Sequence, residues 1–186
     1  ITASIPTMQF QFARQLPRLA ETHPKLRLVL HVSDRFVDLV HEGFDIPVRS
    51  HRSPLPDSDL VQRRLRVQPI VLVAAPAYLA SRGAPAQPED LADHDGLLAN
   101  EMASTWRLRS DDEREIAVTP HFRMAADESM MLLGAALSSL GIAPLPEQMC
   151  RDPLESGALV RVLPAWRAGE VTTTILTPHR RSQLPA

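Results

Sequence analysis

Residues 17–49 read PRLAETHPKLRLVLHVSDRFVDLVHEGFDIPVR, and this stretch decides the fold. After His23-Pro24, the side chains of Leu26, Leu28, Leu30 and Val32 alternate with Arg27, Val29 and His31, the period-two pattern of a strand. Ser33 or Asp34 can cap a helix over FVDLVHE, and Gly43 falls where a helix end wants a residue with positive φ. FDIPV then follows at once as another strand. Strand, helix, strand in this order is the alternation of a parallel α/β sheet. Pro47 lacks a ladder donor, so regular pairing of the last strand is in doubt.

Upstream, the residues from Ala3 form a short strand leading into a helix with Met8, Phe12, Leu16 and Leu19 on one face. Pro17 removes a donor inside that helix and should kink it. Downstream, LVQRRLRVQPIVLVAAP is a long extended segment interrupted at Pro69, so residues 1–75 make one α/β lobe. Pro76 opens a helix, and APAQPEDLADHDG is a loop with one helical turn. GLLAN is a strand, TWRLR and REIAVTP form a hairpin, and FRMA is another strand. Asp127 caps the apolar helix ESMMLLGAALSSL, which Gly141 ends. IAPLP, a helix from Pro146 to about Arg151, and ALVRVLP complete a second lobe over 76–170. VTTTILTP returns to the first, giving residues 171–186 to it. Two connecting segments, Val73 to Ala75 and Thr173 to Leu176, would act as the hinge.

The chain has 186 residues, 44% hydrophobic and 23% charged, which is ordinary globular composition. Its formal charge of −2 argues against a nucleic-acid-binding surface of its own. No apolar run is long enough to span a membrane, and ITASIPTMQF does not read as a secretory leader. HExxH, GxSxG, a phosphate-cradling glycine loop and CxxC are all missing, so an enzyme, a metal or a cofactor is not expected. His94-Asp95-Gly96 reads as a turn. The lone Cys150 is either a small buried residue or a redox-sensing thiol, and fits a reducing, cytoplasmic compartment.

Residues 17–49, together with VLVAAPAYLASRGAPAQPEDLADHDGLL, AADESMMLLGAALSSLGIAPLPEQM and LESGALVRVLPAW, resemble the regulatory domain of LysR-type transcriptional regulators. The resemblance covers nearly the whole chain. It implies an α/β fold of two Rossmann-like lobes, similar to type 2 periplasmic binding proteins, joined by two crossover strands with an effector cleft between them. It implies a homodimer or tetramer, a small-molecule effector such as a carboxylate, and DNA contact only through an N-terminal winged helix-turn-helix that this stretch lacks. The last helix of such domains is missing after SQLPA. The same fold also serves stand-alone solute-binding proteins, enzymes and dimerisation domains with no ligand.

Ligands of open α/β sheets gather beyond the carboxyl ends of strands. That rule selects Ser4, Thr7 and Met8, then Arg49, Ser50 and His51, then Asn100, Asp127 and Glu128 as effector-binding candidates. Ser4, Thr7 and Asp127 could equally be plain helix caps. Arg49 is the best anion partner, since its guanidinium can grip a carboxylate with two bonds, unless it pairs with Asp38 or Asp45. By resemblance, the dimer pairs Gln9, Phe12, Ala13, Leu16, Leu19, Arg27, Val29 and His31 of one subunit with Leu132, Leu133, Ala136 and Leu140 of the other. The run Met130 to Leu133 is apolar all round its helix, which suits one core side and one partner side.

Overall fold

The computed structural model describes residues 1–33, 44–55, 60–102 and 104–177. The chain divides into two compact units: lobe I, Ile1–Val67 with Val171–Ala186, and lobe II, Gln68–Glu170. The first boundary falls before Ala75 because Ile70–Val73 pair with the strand at Ala143–Pro146 and so belong to the second core. Thr173 to Leu176 likewise lie inside lobe I rather than at its edge.

In lobe I, β1 (Thr2–Ala3) pairs in parallel with β2 (His31–Val32), much shorter than the alternation from Leu26 suggests. A parallel bridge from Thr2 to Pro47 brings in β3 (Val48–His51), which lies antiparallel to β12 (Glu170–Thr177). β12 in turn neighbours β4 (Val61–Ala74). Pro47 is tolerated because it sits at the strand's entrance: its carbonyl accepts the Leu176 amide at 2.9 Å, while the preceding carbonyl of Ile46 takes the Thr2 amide. The helix FVDLVHE and its Gly43 cap fall outside the described residues. Pro69 does not interrupt β4, a single strand of 14 residues.

The helix after β1 is not continuous. α1 (Ile5–Thr7) passes into a π-helical turn (Met8–Phe12), and α2 (Gln15–Thr22) restarts beyond it. The restart puts Pro17 in a first turn, where amides have no acceptor within the helix, so its missing donor costs little. Met8 and Leu16 pack with Ala3 and Val48 into the lobe I core, joined by Phe12, Leu28 and Ile175. Leu19 points outward.

In lobe II, β4 lies between β9 (Ala143–Pro146) and β10 (Val160–Val162), both antiparallel to it. β5 (Asp95–Leu98) joins β9 through a bridge at Gly96 and Ile142, and pairs in parallel with β8 (His121–Ala125). Strand pairing within each lobe is thus mixed rather than purely parallel. The expected hairpin is present as β6 (Trp106–Ser110) and β7 (Glu115–Val118), with β11 (Trp166–Arg167) on its flank. α3 (Pro76–Arg82), a 3₁₀ turn (Pro88–Asp93), α4 (Ser129–Leu137) and α5 (Glu147–Glu155) complete the lobe. Leu72, Leu91, Leu98, Leu108 and Ile142 form its core with Tyr78, Trp106 and Val162.

Two end signals lie elsewhere than expected. Glu128, not Asp127, is the N-cap of α4, its Oε1 accepting the Met130 amide at 3.0 Å. The helix stops at Leu137, and Ser139, at φ 60°, takes the left-handed position foreseen for Gly141.

A buried network ties α3 to β5. The Asp95 amide donates to Tyr78 Oη at 2.8 Å, and the same hydroxyl shares a hydrogen bond with His94 Nδ1 at 3.2 Å. Burial, aided by the Arg82 charge, lowers the His94 pKa and so favours the neutral ring. A lowered folded pKa means that this contribution is present above the unfolded value of about 6.5 and is lost as pH falls through the folded one. Urea midpoints should therefore drop on acidification below about pH 6.5, with a shallower drop in His94→Asn, which keeps an acceptor but cannot titrate. Equal slopes for both proteins would remove His94 from the acid response.

Candidate functional site

The polar residues at the ends of β1 and β3 form one continuous hydroxyl chain within lobe I. Ser4 Oγ caps α1 by accepting the Thr7 amide at 3.3 Å and donates to Thr7 Oγ1 at 2.8 Å. Thr7 Oγ1 lies 2.8 Å from Ser50 Oγ, which lies 3.2 Å from Thr173 Oγ1, its cross-strand neighbour on β12. From the other end Gln11 Nε2, carried by the π-helical turn, donates to Thr173 Oγ1 at 3.0 Å.

Proton counting gives this chain a direction. Ser4 donates into Thr7 and Gln11 donates into Thr173, so each of those hydroxyls is free to pass its own proton to Ser50. When both do so, Ser50 accepts twice and its own proton is left to point outward. Thr7 and Thr173 are buried whereas Ser50 is exposed, so the outward donor is Ser50. Such a hydroxyl is matched to an oxygen acceptor.

The other expected residues are placed differently. Arg49 is only 7% exposed, and its Nη1 donates to the carbonyls of Val48 at 2.9 Å and Thr2 at 3.4 Å, so its charge is turned into the lobe. His51 lies on the opposite face of the strand from Ser50, with Nδ1–H donating to Ser53 O at 2.7 Å and Nε2 within 2.9 Å of Thr174 Oγ1. Met8 is a core residue. In lobe II, Asn100 and Asp127 are exposed, and Glu128 is occupied as a helix cap. Thr173 and Gln11 were missed because VTTTILT reads locally as plain strand, and its partner at Ser50 is 123 residues away.

Of the residues expected to face a partner, Gln9, Ala13, Leu19, Arg27, Val29 and His31 are exposed on lobe I, while Phe12 is half-buried and Leu16 buried. Ile5, Met8, Ala13, Leu16, Leu30 and Val32 line an apolar groove of about 340 Å³ there. On α4 the outward side chains are Met131 and Leu137, because Leu132, Leu133 and Ala136 face the lobe II core; Leu140 is half-buried.

Cys150 is fully buried, and its thiol is pushed up to about 12 by burial and the nearby Glu147 charge. Essentially no thiolate is present near neutral pH, which disfavours the redox option. Among the described residues no three His, Cys, Asp or Glu side chains converge as metal ligands.

The family described as LysR substrate binding domain matches residues 1–186. The chain belongs to this family. Among curated relatives, an HTH-type transcriptional regulator of Haemophilus influenzae is 30% identical over 91% of this chain, and YhjC of Escherichia coli is 32% identical over 89%. The LysR-family chain spans only 58% and 57% of those two proteins. The full-length structure of the Vibrio cholerae virulence activator AphB superposes with a TM-score of 0.82 at 26% identity, covering 98% of this chain and 62% of that one. The regulatory domain of CrgA from Neisseria meningitidis gives 0.80 at 24%, a likeness of fold covering 98% and 89%. The fold is that of LysR regulatory domains, two α/β lobes of the type 2 periplasmic-binding-protein kind, and the matched relatives are transcriptional regulators.

Proposed function

We propose that this chain is the effector-sensing and oligomerisation part of a LysR-type, DNA-binding transcriptional regulator. Its effector is a small molecule held through an oxygen acceptor, a carboxylate by preference, at Ser50. The observation that carries this reading is the convergence of Ser4–Thr7 and Gln11–Thr173 on Ser50, which leaves one preorganised outward donor at the end of β3. A ligand that favours one conformation shifts the equilibrium by its differential affinity alone, and that shift is what a regulator reads.

The test is a thermal-shift screen of small carboxylic acids, followed by Ser50→Ala and Thr7→Val. At 100 times Kd a ligand adds about 2.7 kcal/mol, a rise of roughly 5–10 °C for a chain of this size. Losing a hydrogen bond to a charged oxygen costs about 1.5–3 kcal/mol, so Ser50→Ala should weaken binding by roughly 10–100-fold. A hit whose affinity is the same in Ser50→Ala places the effector elsewhere. Arg49→Ala should instead lower stability, because its donors serve the carbonyls of Thr2 and Val48.

The oligomerisation half of the proposal rests on the apolar groove beside β2. A second copy of this chain is its occupant, since that face combines the exposed Val29, Leu30 and Val32 with Ile5 and Leu19.

A further inference from the structure

The sheet of lobe I carries a second polar site on the face away from the hydroxyl chain. Successive side chains of a strand point to opposite faces. On β3 and β12, Ser50 and Thr173 therefore share one face, while His51, Thr172 and Thr174 share the other, as their register requires. On that second face a cavity of about 450 Å³ is lined by His51, Arg52, Gln62, Arg64, Thr172 and Thr174, with Ser53 to Leu55 at its rim. We propose that this cavity is a binding site for a small oxyanion, a carboxylate or a phosphate, gripped by Arg52 and Arg64.

Three features point to that ligand class. First, the lining is one-signed: it contains two guanidinium groups and, among the described residues, no carboxylate. Second, neither Arg52 nor Arg64 forms an ion pair with any described residue, whereas Arg82, Arg109, Arg114, Arg161 and Arg167 all do. Arg52 is exposed as a residue, yet the protein around its charged end lowers its pKa by desolvation, so a counter-charge is favoured there. Third, the wall is hydrogen-bonding and fixed. His51 is pinned between Ser53 O and Thr174 Oγ1, and the Thr172 hydroxyl stands beside it on β12. A planar guanidinium with a hydroxyl alongside matches the geometry of a carboxylate or phosphate. This site is independent of Ser50, and the two can fail separately.

The experiment titrates the chain with inorganic phosphate and, separately, with citrate in chloride-free buffer, read by calorimetry and by melting temperature. Saturable binding of at least one probe is expected, weakened at least tenfold in Arg64→Ala and in Arg52→Ala. Both positions are exposed, so both variants should fold normally. Arg27→Ala, which removes an equal charge from an exposed position away from the cavity, should bind the probe as wild type does. Binding to phosphate alone would assign the site to phosphate groups, and binding to citrate alone to carboxylates. The proposal is overturned if neither probe saturates, if Arg27→Ala loses as much affinity as Arg64→Ala, or if Arg52→Ala and Arg64→Ala both bind the probes as wild type does.

Discussion

Replacing Gly141 by alanine should lower the melting temperature by roughly 6–12 °C, although the position is neither in a helix nor at positive φ. A Cβ at 141 would stand 2.4 Å from the Asp95 carbonyl oxygen, 3.1 Å from its carbonyl carbon and 3.2 Å from its Cβ. Asp95 is poorly placed to retreat. Its amide is bound to Tyr78 Oη, its carboxylate to Arg82 at 2.8 Å, and its carbonyl accepts the Ile142 amide at 2.9 Å. Ile142 O in turn accepts the Leu97 amide, so pushing the chains apart loosens the only seam that joins β5 to β9 among the described residues. Overpacking of this kind costs about 1–3 kcal/mol, and a strained seam bond adds about 1 kcal/mol. Gly134→Ala is the matched control with the opposite sign. Gly134 lies mid-helix in α4, nothing stands within 4 Å of an added Cβ, and alanine there should stabilise by about 0.5–1 kcal/mol. Calorimetry on both variants decides the matter, and a Gly141→Ala protein as stable as Gly134→Ala would refute the close-approach argument.

Gly141 also illustrates what the sequence conceals. A glycine after an apolar helix has the local signature of a cap, and only the β5 backbone, 46 residues earlier, gives it another role. The hairpin β6/β7 was legible because its burial is decided locally: Trp106 and Leu108 face inward while Arg107 and Arg109 face out. Asp127 and Glu128 were nearly degenerate as caps, since both carry a carboxylate and the choice turns on one residue of register. In the site, Ser4, Thr7 and Ser50 were legible from the rule that strand ends collect ligands, and the three do meet. Arg49 was selected by chemistry alone. Its placement follows from pleat alternation, which sends neighbours Arg49 and Ser50 to opposite faces, and no local pattern says which face holds the hydroxyls.

Charging the β2 edge, by Leu30→Glu with Val32→Glu, should convert a dimer of this chain into monomers while leaving the lobe folded. β2 pairs with β1 on one side and, among the described residues, with nothing on the other. Its neighbour Val29 is 65% exposed, and Leu30 and Val32 border the groove formed with Ile5 and Ala13. An unpaired apolar edge of this kind is a liability unless another chain covers it. On the proposed reading a second copy would do so, and a stable contact of that kind buries roughly 800 Å² on each partner. Two carboxylates brought into such a contact lose their water without gaining partners, at a cost of several kcal/mol, so dimer affinity should fall by at least 100-fold. Stability of the separated chain should fall by only about 1 kcal/mol, because Leu30 and Val32 are already 43% and 51% exposed. Sedimentation across a concentration series reads the first quantity and urea unfolding of the monomer reads the second. If wild type and the double variant sediment alike, the β2 face is not the contact. If the variant is monomeric but also unfolds early, Val29→Lys, at the most exposed of the three positions, separates loss of contact from loss of fold.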